Sequence, residues 1–499
     1  MVKNFILFNP DELRASALGC YGNPAAKTPN LDRLVGNAVR FDQCHVQHPV
    51  CTPSRCSFAT GLYPHNNGHR SLWNVLDKDE PHLFQYLKDA GFEVHWWGKN
   101  DMLSQAAAES CLDSVNSIAA DKGRKVYQYF STLKPKPINT HDKNDSFLYE
   151  SGLDSIKDHP DYICTEAAAE YIKSKPENPF CIFLPLFLPH PPYCVTKDFE
   201  SVIDEAEIPP LRPLADAGKP DFYNLIREYR NLDKLSEDDF REINKVYLAQ
   251  AAMVDFMAGE LLNALEETGS IEETAFIFFS DHGDWAGDYG LVEKWPSGLD
   301  DALTRVPLII KTPDCKQGHV VGEPVELLDI MATILDLAGI EASHTHFARS
   351  LKPQIMGASG DKDRAVFAEG GYDINEPQCF EGSDLAFDIS NDEKMNVYYK
   401  KGLQQQEHPE SVSRAAMIRT MEHKLIVRPG GQNEFYELGK DPLELDNRYG
   451  DASKKETVQK LEKRLLDWYI HTSDTVPHKR QPRNFLPETS IRINKKQGQ

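Results

Sequence analysis

The sequence predicts an α/β fold in which helices sandwich a large, mostly parallel or mixed sheet. A smaller C-terminal α+β subdomain with an antiparallel sheet is expected to follow it. Short, continuous apolar runs are typical of strands that are buried on both faces. Such runs occupy residues 5–8, 180–184 and 274–280. Helical patterns lie between these runs, at residues 84–90, 162–175 and 240–268.

The last part of the chain has a different character from the rest. Residues 415–428 and 434–438 have the pattern of short strands separated by turns, and a helix is expected at residues 453–469. At 499 residues the chain is long for one core, so two units are expected. We predict a catalytic α/β domain over residues 1–375 and a C-terminal antiparallel-sheet subdomain with a helix over residues 376–499.

The charge and the cysteine content exclude several classes of protein. The net charge is −22, and no notable run of Lys and Arg precedes the C-terminal tail, which argues against nucleic acid as a partner. An anionic substrate would therefore need a pocket that is locally positive. The ten cysteines lack paired spacing, so neither a disulfide framework nor a zinc ribbon is indicated. Free thiols in this number fit a reducing compartment.

The N-terminal segment bears on the location of the protein. The apolar run at residues 5–8 is too short for the hydrophobic region of a signal peptide. No stretch approaches the length needed to span a membrane, so no membrane partner is expected. The sequence as it stands predicts a cytoplasmic protein. A leader trimmed from the chain would instead indicate a periplasmic or secreted protein.

Acidic residues follow two of the predicted strands. Asp11 comes just after the first strand, and Asp281 and His282 follow the strand at residues 274–280. Ligands of α/β folds bind at the carboxyl ends of parallel strands, so these positions are compatible with a metal site. Helix capping is the structural alternative for Asp11. Carboxylate oxygens suit a hard cation such as Ca²⁺ or Mg²⁺, and the imidazole leaves Mn²⁺ open.

The stretch Cys51-Thr52-Pro53-Ser54-Arg55 combines a cysteine, a proline and an arginine at alternating positions. A cysteine in such a stretch can simply be a small buried apolar residue. The motif, however, resembles the signature of the type I sulfatases in the alkaline phosphatase superfamily. In that family a formylglycine-generating enzyme oxidises the cysteine to formylglycine (3-oxoalanine), and the hydrated aldehyde is the nucleophile. The resemblance implies that Cys51 is the nucleophile and that Arg55 holds and polarises the hydrate.

The resemblance extends to the metal ligands. It implies that Asp11, Asp281 and His282 bind a divalent metal together with residue 51, and it favours calcium over Mn²⁺ or Mg²⁺. Glu12 is a further candidate ligand, although the family usually has Asp or Gln at that position. The sequence around Asp281 and Lys294 resembles the S-D-H-G…G-D-H-G-L…K pattern of the family.

Four residues are candidates for binding the sulfate group and the rest of the substrate. By resemblance, Lys99, His190 and Lys294 contact the sulfate, and His190 is also a proton donor. A histidine in a loop is usually a surface residue, but the prolines around His190 predict a rigid backbone. Asp101 stands where the family usually has a histidine. A carboxyl there could donate a proton if burial raised its pKa, or it could bind a hydroxyl or an amine of the substrate.

Three functions are compatible with these motifs. The leading hypothesis is a sulfatase that acts on a small sulfated molecule, a sulfated mono- or oligosaccharide. The alternative is a phosphonate monoester or phosphodiester hydrolase of the same superfamily. Asp101 keeps this alternative open, whereas Lys99 and the loop around His190 favour a sulfatase. A non-catalytic glycan-binding relative would have lost the nucleophile or the metal ligands, all of which have candidates here.

Overall fold

A computed structural model describes residues 2–115, 129, 133–136, 147–214, 218–381 and 398–477. The strands within these ranges are β1 (Asn4–Asp11), β2 (Val39–His45), β3 (Glu93–Trp96), β4 (Ser114–Val115), β5 (Lys134–Pro135), β6 (Tyr149–Glu150), β7 (Phe180–Pro189), β8 (Thr274–Phe279), β9 (Arg305–Lys311), β10 (His319–Glu326), β11 (Val366–Gly370), β12 (Ala415–Arg419), β13 (His423–Val427) and β14 (Glu434–Glu437). Strands β5 and β6 form a small separate pair.

Helices separate most of these strands along the chain. They are α1 (Pro29–Val35), α2 (Cys51–Thr60), α3 (Pro64–Asn67), α4 (Leu83–Asp89), α5 (Gln105–Cys111), α6 (Pro160–Lys173), α7 (Phe222–Tyr229), α8 (Glu237–Thr268), α9 (Asp301–Thr304), α10 (Asp329–Ala338), α11 (Lys352–Ile355), α12 (Tyr399–Glu407) and α13 (Lys455–Thr472). None of the described helices is both long enough and apolar enough to cross a membrane.

The main sheet has eight strands in the order β10-β2-β9-β8-β1-β7-β3-β4. Strand β9 runs antiparallel to both of its neighbours, and the other pairings in the sheet are parallel. The sheet is therefore mixed but mostly parallel, as the sequence predicts. Because β3, β7, β1 and β8 are parallel neighbours, their carboxyl ends meet at one edge of the sheet.

Both faces of the sheet are covered by helices, which explains why its central strands are apolar throughout. In β1, Ile6 and Phe8 face a core that includes residues of α1, α6 and α8. The alternate residues Phe5 and Leu7 face a second core that includes residues of α2, α4 and α10. The period of two along a strand thus sends successive side chains into different layers. This arrangement confirms the predicted α/β fold with helices on both sides.

A second sheet of four antiparallel strands has the order β11-β12-β13-β14. One of its faces packs against α13, where the ring of Trp468 stacks on that of Phe367 with centroids 4.8 Å apart. The predicted C-terminal antiparallel sheet with a helix is thereby confirmed. The predicted boundary at residues 375 and 376 stays a prediction, and β11 lies before it. Residues 382–397 and 478–499 of the predicted subdomain lie outside the described residues.

Two elements differ from their predicted form. The apolar spacing predicts a helix over residues 325–338, but β10 continues to Glu326 and α10 begins only at Asp329. The Asp329 carboxylate accepts the backbone N–H of Glu326 (3.1 Å) and closes the turn between them. Apolar side chains on both sides of this turn imitate one helical stripe. The sequence analysis does not predict strand β2. The strand nevertheless begins with alternating residues, in which Val39 and Phe41 are buried and Arg40 and Asp42 are half-buried.

Candidate active site

The predicted site residues follow the carboxyl ends of four neighbouring parallel strands. Strand β1 ends at Asp11, and β8 leads directly to Asp281 and His282. Strand β3 leads to Lys99, and β7 leads to His190. These side chains converge because all four strands end at the same edge of the sheet, where α/β folds place their ligands.

Helix α2 carries the signature motif and is buried along its whole length. Cys51 is its first residue and Arg55 lies one turn later, so both side chains project from the same face. The Nε of Arg55 lies 2.8 Å from Oδ2 of Asp281, and the second guanidinium nitrogen Nη2 lies 3.3 Å from Oδ2 of Asp11. Ser54 adds a hydrogen bond from its hydroxyl to the carbonyl of Asp281 (2.5 Å). These contacts fix the first turn of α2 against the ends of β1 and β8.

Four buried side chains form a cluster that could hold a metal ion. Asp11, Cys51, Asp281 and His282 place one candidate ligand atom each within 4.8 Å of one another. The Sγ of Cys51 lies 3.2 Å from Nε2 of His282 and 3.6 Å from Oδ1 of Asp11. The geometry thus brings together four of the five residues predicted as ligands.

The ionisation of the cluster suits a metal ion. The Nδ1–H of His282 donates to the carbonyl of Gly283 (2.9 Å), so the Nε2 lone pair faces the cluster. Burial lowers the pKa of His282, which keeps the imidazole neutral. Burial raises the pKa of Asp11, but the positive charges of Lys99 and Arg55 outweigh burial and hold that pKa well below its usual range. A neutral imidazole and an ionised carboxylate are the forms that bind metals.

Glu12, the fifth predicted ligand, lies beside this cluster. It forms an adjacent group with Asp11 and His190. Its Oε2 accepts a hydrogen bond from Lys294 (3.0 Å), whereas its buried Oε1 has no partner among the described residues. Burial raises the pKa of Glu12 well above its usual value, and Lys294 offsets this only in part. A buried carboxylate oxygen without a partner is costly, so these residues fit a cation that would bind there.

Lys99 brings a positive charge close to Cys51 and Asp11. Its Nζ lies 2.5 Å from Oδ2 of Asp11, 2.8 Å from Oδ2 of Asp101 and 4.0 Å from Sγ of Cys51. Burial lowers the pKa of Lys99, but the carboxylates of Asp101 and Asp11 outweigh burial and raise that pKa well above its usual value. The residue that replaces the usual histidine, Asp101, is therefore an ion-pair partner of Lys99.

His190 and Lys294 form a hydrogen-bonded pair. The Nδ1–H of His190 donates to the carbonyl of Pro191 (2.6 Å), which leaves its Nε2 to accept from Nζ of Lys294 (2.9 Å). Burial and the charge of Lys294 lower the pKa of His190, so the imidazole is neutral. Burial lowers the pKa of Lys294, but the carboxylates of Glu12 and Glu293 outweigh burial and raise the pKa well above its usual value. The lysine is thus the charged member of the pair.

A pocket of about 700 Å³ opens at Cys51, and Lys99, Asp101, His190 and Lys294 also line it. The sequence analysis missed several further lining residues. They are Thr52, Leu72, Trp73, Val75, Asn100, Glu293, Glu381, Tyr398 and Lys401. Glu293 could have been found, because it directly precedes Lys294. The residues from the C-terminal part carry no motif, and only the fold brings them to the pocket.

Gly98 lets the strand ends approach closely enough to place Lys99. Its φ is +143°, and a Cβ there would lie 2.1 Å from the carbonyl oxygen of Pro185 on β7. We expect Gly98→Ala to lower the free energy of unfolding in urea by about 1–3 kcal/mol from the clash alone. We also expect a lower kcat/KM for a sulfate ester, because the clash displaces Lys99.

Gly91→Ala is the matched control for this variant. Gly91 also has a positive φ, +90°, but no atom lies within 4 Å of a Cβ built on it. Both variants therefore carry left-handed strain, and only Gly98→Ala adds a clash. Equal losses of stability in the two variants, with kcat/KM unchanged in both, would contradict the proposed packing at Gly98.

Asp161 on α6 holds the segment that precedes His190. Its carboxylate accepts the backbone N–H groups of Phe187 (3.0 Å) and Leu188 (2.9 Å). We expect Asp161→Asn to lower kcat/KM about 10- to 100-fold, because a shift of His190 disturbs the reacting geometry. The measurement is steady-state kinetics on a sulfate ester.

The stability of the same variant should depend on pH in a defined direction. Burial raises the pKa of Asp161 from 3.8 to about 6. The folded state therefore binds this proton more tightly than the unfolded state does. The stability of the wild type relative to Asp161→Asn should be largest below about pH 4 and should fall as the pH rises to about 6. Urea unfolding of both proteins at pH 4.5 and 7 measures this, and an opposite trend would contradict the role of burial.

The sequence matches the family model described as Sulfatase over residues 3–340, which is more than half of the chain. One relative, the uncharacterized sulfatase YidJ of Escherichia coli, is 26% identical over 484 residues, covering 93% of this chain and 86% of the relative. The N-acetylglucosamine-6-O-sulfatase of Bacteroides thetaiotaomicron is 23% identical over 530 residues, covering 92% of this chain and 85% of the relative.

A solved structure with a similar fold is the phosphonate monoester hydrolase of Agrobacterium radiobacter. It superimposes with a TM-score of 0.74 at 20% identity, covering 96% of this chain and 100% of that structure. This likeness concerns the fold, whereas the family match rests on sequence. Together with the buried cluster at the strand ends, these findings identify the chain as a member of the sulfatase family and as a sulfuric ester hydrolase.

Proposed function

We propose that the protein removes sulfate from a sulfated saccharide, using formylglycine at position 51 and a divalent metal ion. The position of Cys51 carries this proposal, because the residue belongs to the buried cluster and lines the pocket together with Lys99 and Lys294. The relative that is named an N-acetylglucosamine-6-O-sulfatase supports a sulfated sugar as the substrate class.

The environment of Cys51 favours a modified residue over a thiol as the nucleophile. Burial and the nearby Asp11 raise the pKa of the Cys51 thiol well above its usual value. The thiolate is the reactive form of cysteine, so the encoded side chain is inert at neutral pH. Formylglycine, formed by a formylglycine-generating enzyme, would supply as its hydrate an attacking hydroxyl and a second hydroxyl that lets sulfate leave.

Asp11, Asp281, His282 and residue 51 would hold the metal ion, with Glu12 at the edge of the site. A ligand set of carboxylates and one imidazole suits Ca²⁺ and also admits Mg²⁺ or Mn²⁺. The metal would supply positive charge to the sulfate oxygens and to the attacking oxygen. We favour calcium because most of the donor atoms are oxygens.

The lysines supply the remaining positive charge. Lys99 and Lys294 stay charged and line the pocket on either side of Cys51. Fixed charges that point at a developing negative charge stabilise the transition state more than mobile ones do. These charges also offset the repulsion that a protein with a net charge of −22 exerts on an anion.

The leaving alcohol needs a proton, and His190 together with Lys294 can deliver it. Nε2 of His190 faces Nζ of Lys294, which is a charged donor at 2.9 Å. A proton can pass from the Nζ of Lys294 to the alcohol oxygen, while the Nε2 of His190 accepts another N–H of the ammonium group and holds it in place. Asp101 is tied to Lys99, so we assign it the role of holding Lys99 and of contacting a polar group of the substrate.

The test measures sulfate release by ion chromatography from sulfated mono- and disaccharides and from an aryl sulfate. An aryl phosphonate monoester runs in parallel, and Cys51→Ala is the control. We expect Cys51-dependent release of sulfate from at least one saccharide. Sulfate release only from the aryl sulfate would contradict the saccharide assignment.

The second candidate function is the hydrolysis of a phosphonate monoester or a phosphodiester. Asp101 at the usual histidine position favours it, and so does the fold likeness to the phosphonate monoester hydrolase. Rapid turnover of the phosphonate with little release of sulfate would select this second candidate as the main activity.

A further inference from the structure

Glu293 links the sulfate site to the C-terminal part of the chain. It is fully buried beside Lys294, with its Oε1 3.3 Å from Nζ of Lys294. The same oxygen lies only 2.7 Å from Nζ of Lys401, which comes from α12. Its second oxygen, Oε2, lies 2.9 Å from a guanidinium nitrogen of Arg230. One carboxylate oxygen is thus shared between two lysines from distant parts of the chain.

The backbone at Glu293 is held in a conformation that costs energy for a residue with a side chain. Its φ is +66°, in the left-handed region. Its N–H donates to Oδ1 of Asp284 (3.0 Å) and to the hydroxyl of Tyr193 (2.9 Å). Strain of this kind persists where the surroundings fix the position of a functional residue. The backbone that carries the Glu293 side chain is therefore held in place by these two hydrogen bonds.

Lys401 is in turn shared between two carboxylates. Its Nζ lies 2.7 Å from Oε1 of Glu293 and 3.2 Å from Oε1 of Glu381. Its side chain is only 1% exposed, so these two carboxylates, rather than solvent, neutralise most of its charge. The chain of contacts runs from Glu381 through Lys401 and Glu293 to Lys294.

We propose that Lys401 is a positioning residue that sets how strongly Glu293 attracts Lys294, and thereby how much of the Lys294 charge faces the sulfate group. By neutralising Glu293, Lys401 leaves Lys294 to its contacts with Glu12 and His190. Glu381 acts in the opposite sense, because it draws Lys401 away from Glu293. This inference rests on the proposed role of Lys294 in binding sulfate.

Two substitutions should therefore change the affinity for sulfate in different ways. In Lys401→Met, Glu293 loses its nearest lysine and pulls Lys294 towards itself and away from the pocket. In Glu381→Gln, Lys401 pairs with Glu293 alone, which releases Lys294. A purely structural role for this buried network would predict damage from both substitutions.

The experiment measures inorganic sulfate as a competitive inhibitor of the mature enzyme, together with kcat and KM for a sulfate ester. We expect Lys401→Met to raise the Ki of sulfate and the KM about tenfold, equivalent to about 1.4 kcal/mol. We expect Lys401→Arg to keep the Ki within about threefold of the wild type, because a cation is retained beside Glu293. Glu381→Gln should leave the Ki unchanged or lower it.

Lys424→Met is the matched control. Lys424 is also a fully buried lysine held by two carboxylates, those of Asp301 and Glu444, but it lies outside the pocket. Its replacement should lower the melting temperature and leave the Ki of sulfate unchanged. A comparable rise in Ki in this control would mean that loss of any buried ion pair weakens sulfate binding, and it would overturn the inference.

Two further outcomes separate this inference from the proposed function. If Lys294→Met binds sulfate as tightly as the wild type, the proposed role of Lys294 is wrong and the inference is overturned with it. If Lys294→Met weakens sulfate binding but a folded Lys401→Met does not, only the inference is overturned. Should Lys401→Met fail to fold, a tenfold rise in Ki in Glu381→Gln would overturn it equally.

Discussion

Cys51→Ala is expected to lower the release of sulfate by four orders of magnitude or more, roughly the loss seen when a catalytic nucleophile is removed. The reason is that the variant removes the proposed nucleophile, which belongs to the acidic cluster and lies 4.0 Å from Nζ of Lys99. The overall fold should persist, because alanine fills most of the space of a buried cysteine at the start of α2. The measurement is sulfate release by ion chromatography, with circular dichroism as the check on folding.

Cys56→Ala is the matched control for this prediction. Cys56 lies on the same helix and is equally buried, but it packs in the apolar core behind the sheet. We expect this control to retain activity within about threefold, with a modest loss of stability. Substantial activity in Cys51→Ala would contradict the assignment of the nucleophile.

Cys51→Ser should distinguish the proposed chemistry from ordinary hydroxyl catalysis. A serine oxygen can attack sulfur and release the alcohol, but it lacks the second hydroxyl that would expel sulfate. We therefore expect one turnover at most, with a sulfo group retained on residue 51 and detectable by peptide mass spectrometry. Multiple turnovers in Cys51→Ser would argue against a requirement for formylglycine.

The convergence of the acidic residues could be predicted from the sequence, because the motif and the strand topology both bring them together. Asp11 and Asp281 each follow a buried apolar run, and neighbouring parallel strands must end at the same edge of the sheet. The spacing between Cys51 and Arg55 is one helical turn, so one helix brings both residues to the two carboxylates. Local pattern and global arrangement agree at these positions.

The pairing of Glu293 with Lys401 in the pocket could not be predicted in this way. Glu293 and Lys401 are 108 residues apart, and no local pattern indicates that they pair. A salt bridge between distant segments depends on how α12 packs, which is a property of the whole fold. The ion pair between Asp101 and Lys99 also could not be predicted, because it depends on a turn in which Gly98 packs against Pro185 of another strand.

Asp281→Asn is expected to cause the second large loss, in both metal binding and activity. One oxygen of Asp281 accepts the backbone N–H groups of Glu12 (3.1 Å) and His282 (3.0 Å). The other lies 2.8 Å from Nε of Arg55. An amide binds hard cations more weakly than a carboxylate does and leaves Arg55 with less compensation. We expect kcat/KM to fall about 1000-fold or more, because electrostatic stabilisation of the transition state contributes strongly to catalysis in such sites.

The more specific measurement is how much a metal ion raises the melting temperature of Asp281→Asn. A ligand that binds only the folded state raises the melting temperature in proportion to the logarithm of its concentration over Kd. Titration of the metal-stripped wild type with Ca²⁺, Mg²⁺ or Mn²⁺ should therefore raise the melting temperature, and Asp281→Asn should lose most of this rise. The variant should also be less stable without metal, by about 3 kcal/mol, because Arg55 is buried and loses its closest charge partner.

Asp255→Asn separates loss of a metal ligand from loss of a buried carboxylate. Asp255 on α8 accepts the backbone N–H of Leu31 on α1 (2.8 Å), and burial raises the pKa of its carboxyl to about 6. This control should be destabilised but should keep the full stabilisation by metal. If both variants keep it, the metal binds without Asp281 and the proposed ligand set is wrong. If only Asp281→Asn loses it, the carboxyl ends of β1 and β8 hold the ion, and the charge of Lys99 and Lys294 acts in addition to that of the metal.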